Sequence, residues 1–198
     1  MKNLLACFTG LVIAASAMAQ EVAPDVLIMN VTNEVLNIVR KDKDIQSGDT
    51  GKAMDLVETK VLPIFDFTHM TQLAMARDWR QANAAQQKML TNEFRTLLVR
   101  TYSKALTEYK NQSVDFRPLA LKAGATDVRV RTGIKQPGGG KPIEFDYSLE
   151  KSSAGWKVYD IEVAGISIVT NYRESFAAEV RNHGIDGLIK TLQTKNQS

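Results

Sequence analysis

The sequence predicts an α+β fold in which helices come first, an antiparallel meander follows, and helices close the chain. Three observations predict it. Apolar residues recur at helical spacing to about residue 112, the period changes to two after Ser113, and helical spacing returns after about residue 167. Segregating helices from a run of strands argues for α+β and against βαβ winding.

Residues 1–19 are expected to lie outside the fold as a cleaved signal peptide. Lys2 supplies a positive start, Leu4 to Ala15 form a short apolar run, and Ala17-Met18-Ala19 is an A-x-A site for a signal peptidase. The mature chain would then begin at Gln20, having lost its one cysteine, Cys7. A chain without cysteine suits an oxidising compartment. Residues 20–198 read as one domain, with helices over about 22–112, the sheet over about 114–164 and closing helices over about 167–195.

Pro24 to about Lys41 is the first helix: Leu27, Ile28, Val31, Val35, Ile38 and Val39 share a face, and Pro24 suits a first turn. Ser47-Gly48-Asp49-Thr50-Gly51 breaks it. A second helix should run to about Leu62 and stop at Pro63. A third begins at Asp66 or Thr68 and carries Met70, Leu73 and Ala74. Ala84 to Lys110 is the longest, with Leu90, Phe94, Leu97, Leu98, Tyr102, Ala105, Leu106 and Tyr109 in one stripe.

Val114 to Ala123 is expected to be a strand that Pro118 pushes towards an edge or a bulge. Val128 to Arg131 and Ile143 to Glu150 alternate, and Pro137-Gly138-Gly139-Gly140-Lys141-Pro142 joins them as a hairpin. That pairing lets Arg129 and Arg131 share the outer face with Glu144 and Asp146. Trp156 to Val163 is the fourth strand. Its alternation slips, since Trp156 and Val158 have one parity and Tyr159, Ile161 and Val163 the other; a bulge or burial on both faces would explain this. Helices around Val169–Arg181 and from about Ile185 complete the chain.

Composition narrows function by exclusion. Lys+Arg 25 against Asp+Glu 22 leaves +3, too balanced for a protein that grips nucleic acid. Apolar residues at 44% and charged residues at 24% exclude wholesale disorder. One cysteine and two histidines exclude a Cys/His zinc framework and a disulfide scaffold. His69 and His183 each lack neighbouring ligands at metal spacing, so no metal and no cofactor is expected. No G-x-S-x-G elbow is present, and Gly138-Gly139-Gly140 is followed by neither a P-loop lysine nor a helix.

Two stretches are more specific. One is Val61-Leu62-Pro63-Ile64-Phe65-Asp66-Phe67-Thr68-His69-Met70-Thr71, followed by Asp78-Trp79-Arg80, Gln86-Gln87 and Glu93 to Tyr102. The other runs from Trp156 to Phe176, with Asp160-x-x-x-x-Gly165-x-Ser167-x-Val169-x-Asn171-Tyr172-Arg173 at its centre and Gly184-Ile185-Asp186-Gly187 after it. Together they resemble the MlaC family, the toluene-tolerance periplasmic phospholipid-binding proteins of Gram-negative bacteria. Ala76-Arg77 departs from that pattern, where a Leu-Gly pair is expected, and bears on a turn.

The resemblance implies a curved antiparallel sheet of about four strands, similar to nuclear transport factor 2, packed against helices. It implies a soluble periplasmic carrier without enzymatic activity, monomeric, exchanging phospholipid between an outer-membrane lipoprotein–porin complex and an inner-membrane ABC transporter with its lipid-binding hexameric subunit. Outer-membrane lipid asymmetry would be maintained in this way. The alternative is a small-substrate enzyme of isomerase or dehydratase type, since such sheets also form catalytic cones with an Asp/His pair.

A carrier must hide roughly thirty methylenes at about 0.8 kcal/mol each, on the order of 20 kcal/mol. An apolar cavity does this, and the expected walls come from four segments. They are Leu62, Phe65 and Leu73; Phe94, Leu97, Leu98, Tyr102 and Leu106 of the long helix; Val128, Val130, Phe145, Tyr147, Ile161 and Val163 of the strands; and Ile166, Val169, Tyr172 and Phe176. Arg173 suits a lipid phosphate at the mouth, or alternatively an ion pair or a bond to backbone carbonyls that fixes the last helix.

Overall fold

The structure, a computed structural model, describes residues 22–109, 111–135 and 139–197. The expected signal peptide and residues 136–138, at the start of the glycine-rich link, lie outside the described residues. The α+β class is observed, and among the described residues five antiparallel strands form one sheet in which each strand pairs with the next in sequence.

Helix α1 (Pro24–Lys41) has the expected bounds, with Pro24 in its first turn and Arg40 and Lys41 in its last. It buries Ile28, Val35 and Val39. A short α2 (Lys43–Gln46) follows, capped by Asp42, whose carboxylate accepts from the N–H groups of Asp44 and Ile45. These two bonds lower the pKa of Asp42, the Ile45 bond most, against an opposing contribution from burial; Lys52 nearby also lowers it. Gly48 turns the chain at φ 107° and Asp49 caps α3 (Thr50–Leu56).

The second helix does not run unbroken to Leu62. After Leu56 it widens to a π-turn at Val57–Val61 and tightens to a 3-10 turn at Leu62–Ile64. Pro63 has no N–H to continue the α-helical ladder, and the Thr59 hydroxyl occupies the carbonyls of Asp55 and Leu56. Asp66 then caps α4 (Phe67–Met75) by accepting from the His69 N–H at 2.8 Å. Ala76, at φ 49°, ends it. A 3-10 turn, Ala76–Gln81, leads to α5 (Ala84–Thr107), whose capping box joins Asn83 and Gln86 reciprocally.

Strand β1 (Ser113–Phe116) is shorter than expected, because its pairing with the next strand stops just before Pro118. Strands β2 (Asp127–Lys135) and β3 (Ile143–Ser152) form the expected antiparallel hairpin. On its outer face Arg129 makes two bonds to Glu162, at 3.0 and 2.7 Å, while Arg131 lies 3.6 Å from Asp146. Glu144 pairs with Arg117 instead of with those arginines, because Gly133 stands opposite it on β2.

The slip in β4 (Gly155–Val163) is a bulge. Leu149 faces Val158 and Ser148 faces Asp160, leaving Tyr159 as the extra residue. The parity change therefore keeps Trp156, Val158, Ile161 and Val163 on one face, beside Phe145, Tyr147 and Leu149. The two-residue β5 (Ile166–Ser167), which was not foreseen, folds back on Glu162 and Val163. A 3-10 turn, Thr170–Tyr172, opens α6 (Arg173–Gln197), which breaks at Gly184 (φ 70°, ψ −177°) into the two expected helices.

The inner sheet face is divided between two environments. Towards α1, Ile28, Val130, Leu149, Trp156 and Val158 form a closed cluster. A larger cluster joins α4, α5 and α6 through Met70, Ala74, Leu90, Phe94, Val169, Phe176 and Leu188. Between these clusters the rest of the sheet face is open.

Candidate functional site

That opening is a groove of about 520 Å³, within the roughly 300–1,000 Å³ usual for ligand sites. The π-turn contributes Val57 and Val61, and the segment after it Leu62 and Phe65. From α4 come Phe67 and Met70, and from α5 Leu98, Val99, Tyr102, Ser103, Ala105 and Leu106. Phe145, Ile161 and Val163 form the sheet wall, and Ile166, Ser167, Ile168 and Asn171 the opposite lip. Exposure rises from 1% at Met70 and 5% at Leu98 to 41% at Tyr102 and 63% at Ile166. The groove is therefore deep at α4 and open at Ile166.

Its chemistry is almost entirely hydrocarbon. Partial burial raises the pKa of the Tyr102 hydroxyl, and Tyr172 adds to the shift. Ser103 is buried, and its hydroxyl has no hydrogen-bond partner among the described residues. Such a surface excludes water from a ligand and offers little directional bonding, so it favours acyl chains over a polar substrate.

The lip is shaped by the Asp160 motif. The buried Asp160 carboxylate accepts from the Ile161 N–H at 2.8 Å, from the Ser167 hydroxyl and from the Val169 N–H. Ser167 Oγ in turn accepts from the Thr170 N–H at 3.0 Å. Burial pushes the Asp160 carboxyl up, while those donors pull it down. The Ala164-Gly165 turn, with φ of 50° and 81°, reverses the chain so that Ile166 overhangs the opening.

Of the residues expected to line a cavity, Leu62, Phe65, Leu98, Tyr102, Leu106, Phe145, Ile161, Val163 and Ile166 meet around this groove. The others do not line it. Phe94, Val169 and Phe176 are buried in the helical cluster, with Leu73, Leu97 and Tyr172 packed against it. Phe94 makes edge contacts to Tyr172 and Phe176 at 5.1 and 5.2 Å. Val128, Val130 and Tyr147 belong to the cluster under α1, and burial pushes the Tyr147 hydroxyl up to about 12. Arg173 also stands away from the lining: Nε and Nη2 both donate to the Leu73 carbonyl, at 3.1 and 3.0 Å, holding α6 to α4.

The expected walls did not include Val57, Val61, Phe67, Met70, Val99, Ser103, Ala105, Ser167, Ile168 or Asn171, which also line the groove. The i, i+4 pair Val57 and Val61 was a readable signal; the π-turn that aims it was not. Neither histidine lines the groove. His69 Nδ1 meets Glu150 at 2.8 Å and its ring stacks on Tyr159, while His183 meets Glu179 at 2.9 Å. Among the described residues no cluster of His, Cys, Asp and Glu could hold a metal ion, and no helix is long and apolar enough to cross a membrane.

A sequence model of the MlaC family, described as MlaC protein, matches residues 29–194. The chain is 24% identical over 187 residues to the "Intermembrane phospholipid transport system binding protein MlaC" of Haemophilus influenzae, covering 93% of this chain and 87% of that protein. It is 28% identical over 191 residues to "Toluene tolerance protein ttg2D" of Pseudomonas putida, covering 96% and 84% respectively. Among solved structures, the phospholipid-binding protein from Ralstonia solanacearum, in complex with a phospholipid, matches with a TM-score of 0.82. Its identity is 36%, over 89% of this chain and 98% of that one.

Proposed function

The chain belongs to the MlaC family, and from that premise we propose that it carries phospholipid between membranes, with the acyl chains in the groove and the headgroup at its mouth. One observation carries the reading: an apolar groove of about 520 Å³, open at one side, in a fold similar to that of a protein described with a bound phospholipid. The names of the relatives support transport as well as binding. The carrier does its work by binding alone, without catalysis.

The acyl chains contact Phe65, Leu98, Val163 and their neighbours in the lining, while Tyr102 and Asn171 stand nearest the headgroup. Arg173 has a structural task, since both donors of its guanidinium edge are spent on Leu73. The compartment is the periplasm, and the partners are an outer-membrane lipoprotein–porin complex and an inner-membrane ABC transporter with a hexameric lipid-binding subunit. Through them the protein maintains outer-membrane lipid asymmetry.

Native mass spectrometry of protein purified from a bacterial periplasm tests the reading, together with transfer of labelled phospholipid between donor and acceptor vesicles. The expected result is a mass increment equal to phospholipid and faster transfer with protein. Protein that is empty and accelerates nothing overturns it.

A further inference from the structure

One residue of the groove lining is shared with both clusters that flank it. Phe65 lines the groove and packs against both the helical cluster and the cluster under α1. Its backbone forms a parallel bridge with Val158, and the next N–H, of Asp66, donates to the Val158 carbonyl at 2.8 Å. Its ring stacks on Phe67 at 5.8 Å between centroids. Ile161, on the sheet, is likewise shared between the groove and the α1 cluster. Beyond these two side chains the space is filled: Val158 and Leu149 have no exposed surface, and Ile28 has 2%.

We propose that Phe65, with Ile161 beside it, is a length stop that sets how long an acyl chain the groove accepts. The proposal rests on the carrier reading above. A stop must hold its position when a chain presses on it, and Phe65 is fixed by backbone pairing on one side and by ring packing on two others. The open end offers no such limit, since Tyr102 is 41% and Ile166 63% exposed. A methylene that cannot be housed stays exposed, so each one beyond the stop forfeits about fourfold in binding.

The test offers the protein vesicles containing dilauroyl, dipalmitoyl and distearoyl phosphatidylglycerol in equal amounts, and reads the bound lipids by mass spectrometry. Phe65→Ala should shift the distearoyl-to-dilauroyl ratio towards the longer lipid by on the order of tenfold, about two methylenes' worth. Phe65→Leu, which removes less, should shift it the same way by about threefold. Ile161→Phe pushes the stop into the groove and should shift the ratio the opposite way. Circular dichroism confirms that each variant is folded. Should Phe65→Ala fail to fold, the other two decide. Lipid-bearing variants whose ratio stays within about twofold of the parent overturn the length stop and leave the carrier reading intact. A parent protein that takes up none of the three lipids overturns both.

Discussion

Asp160 illustrates how much one side chain organises. Its carboxylate gathers Ile161, Ser167 and Val169, and so fixes the lip of the groove and the start of α6. Replacing it by alanine strands those donors and should cost about 1–3 kcal/mol. Asparagine keeps an acceptor and removes the charge. Because burial raises the Asp160 pKa above its unfolded value, its contribution to stability is full below the unfolded pKa. It is lost as pH rises through the folded pKa. The melting temperature of Asp160→Asn relative to the parent should therefore increase from acid to neutral pH; a difference that falls with pH refutes this account. Ala76 is the opposite kind of residue, one that burdens its site. At φ 49° and ψ −123° it occupies a conformation that costs an L side chain about 1–3 kcal/mol. Ala76-Arg77 stands where the family pattern has a Leu-Gly pair, and the positive φ falls on the first of the two. Ala76→Gly should relieve the strain at an entropic cost of about 0.5–1 kcal/mol, for a net gain near 1 kcal/mol. Thermal melting checks it, and a lowered midpoint would contradict the geometry.

At the level of elements, the helices were legible where one face is apolar and the ends are marked. Pro24 and the charged last turn delimit α1, and Asn83 with Gln86 starts α5. The π-turn at Val57–Val61 was not legible, because a change from α to π hydrogen bonding leaves the apolar spacing intact. Strand β1 was read too long because side-chain alternation continues past the point where Pro118 ends pairing. The break in α6 falls between the two helices expected around Val169–Arg181 and from about Ile185. Gly184 has a backbone conformation nearly restricted to glycine, and Glu179 spans the break, bonding His183 on one side and Thr191 at 2.8 Å on the other. A Cβ on Gly187 would lie 2.2 Å from the His183 Cβ. In an unbroken helix, Gly184→Ala would stabilise by about 1 kcal/mol. Here it should destabilise by about 1–3 kcal/mol, and Gly187→Ala should also destabilise. The sign of the change in urea midpoint decides between a kinked and a continuous helix.

Over the whole molecule, what the sequence could not reveal is which apolar residues meet each other and which meet empty space. Leu98 and Phe94 lie one turn apart on α5, yet Leu98 reaches the groove and Phe94 does not. Composition cannot separate them, since a dry core and a cavity wall are built from the same side chains. The distinction comes from where the sheet curves away from the helices, which is set by the Tyr159 bulge and by Phe65 holding the edge of β4. Val163 and Val169 put this division to a direct test. They are six positions apart in one motif, but Val163 lines the groove while Val169 has no exposed surface and packs in the helical cluster. Tryptophan at either site adds the same bulk. At Val169 it must force neighbours apart, costing roughly 1–3 kcal/mol, while the groove beyond remains clear. At Val163 the ring enters space that the proposed lipid would fill, so folding should be nearly unaffected and lipid occupancy should drop. Melting temperature and bound phospholipid per protein, measured for both, give four numbers with a required pattern. Val169→Trp should lose stability and keep its lipid; Val163→Trp should keep its stability and lose lipid. If Val163→Trp melts early and carries a full load, the groove is not where the lipid lies.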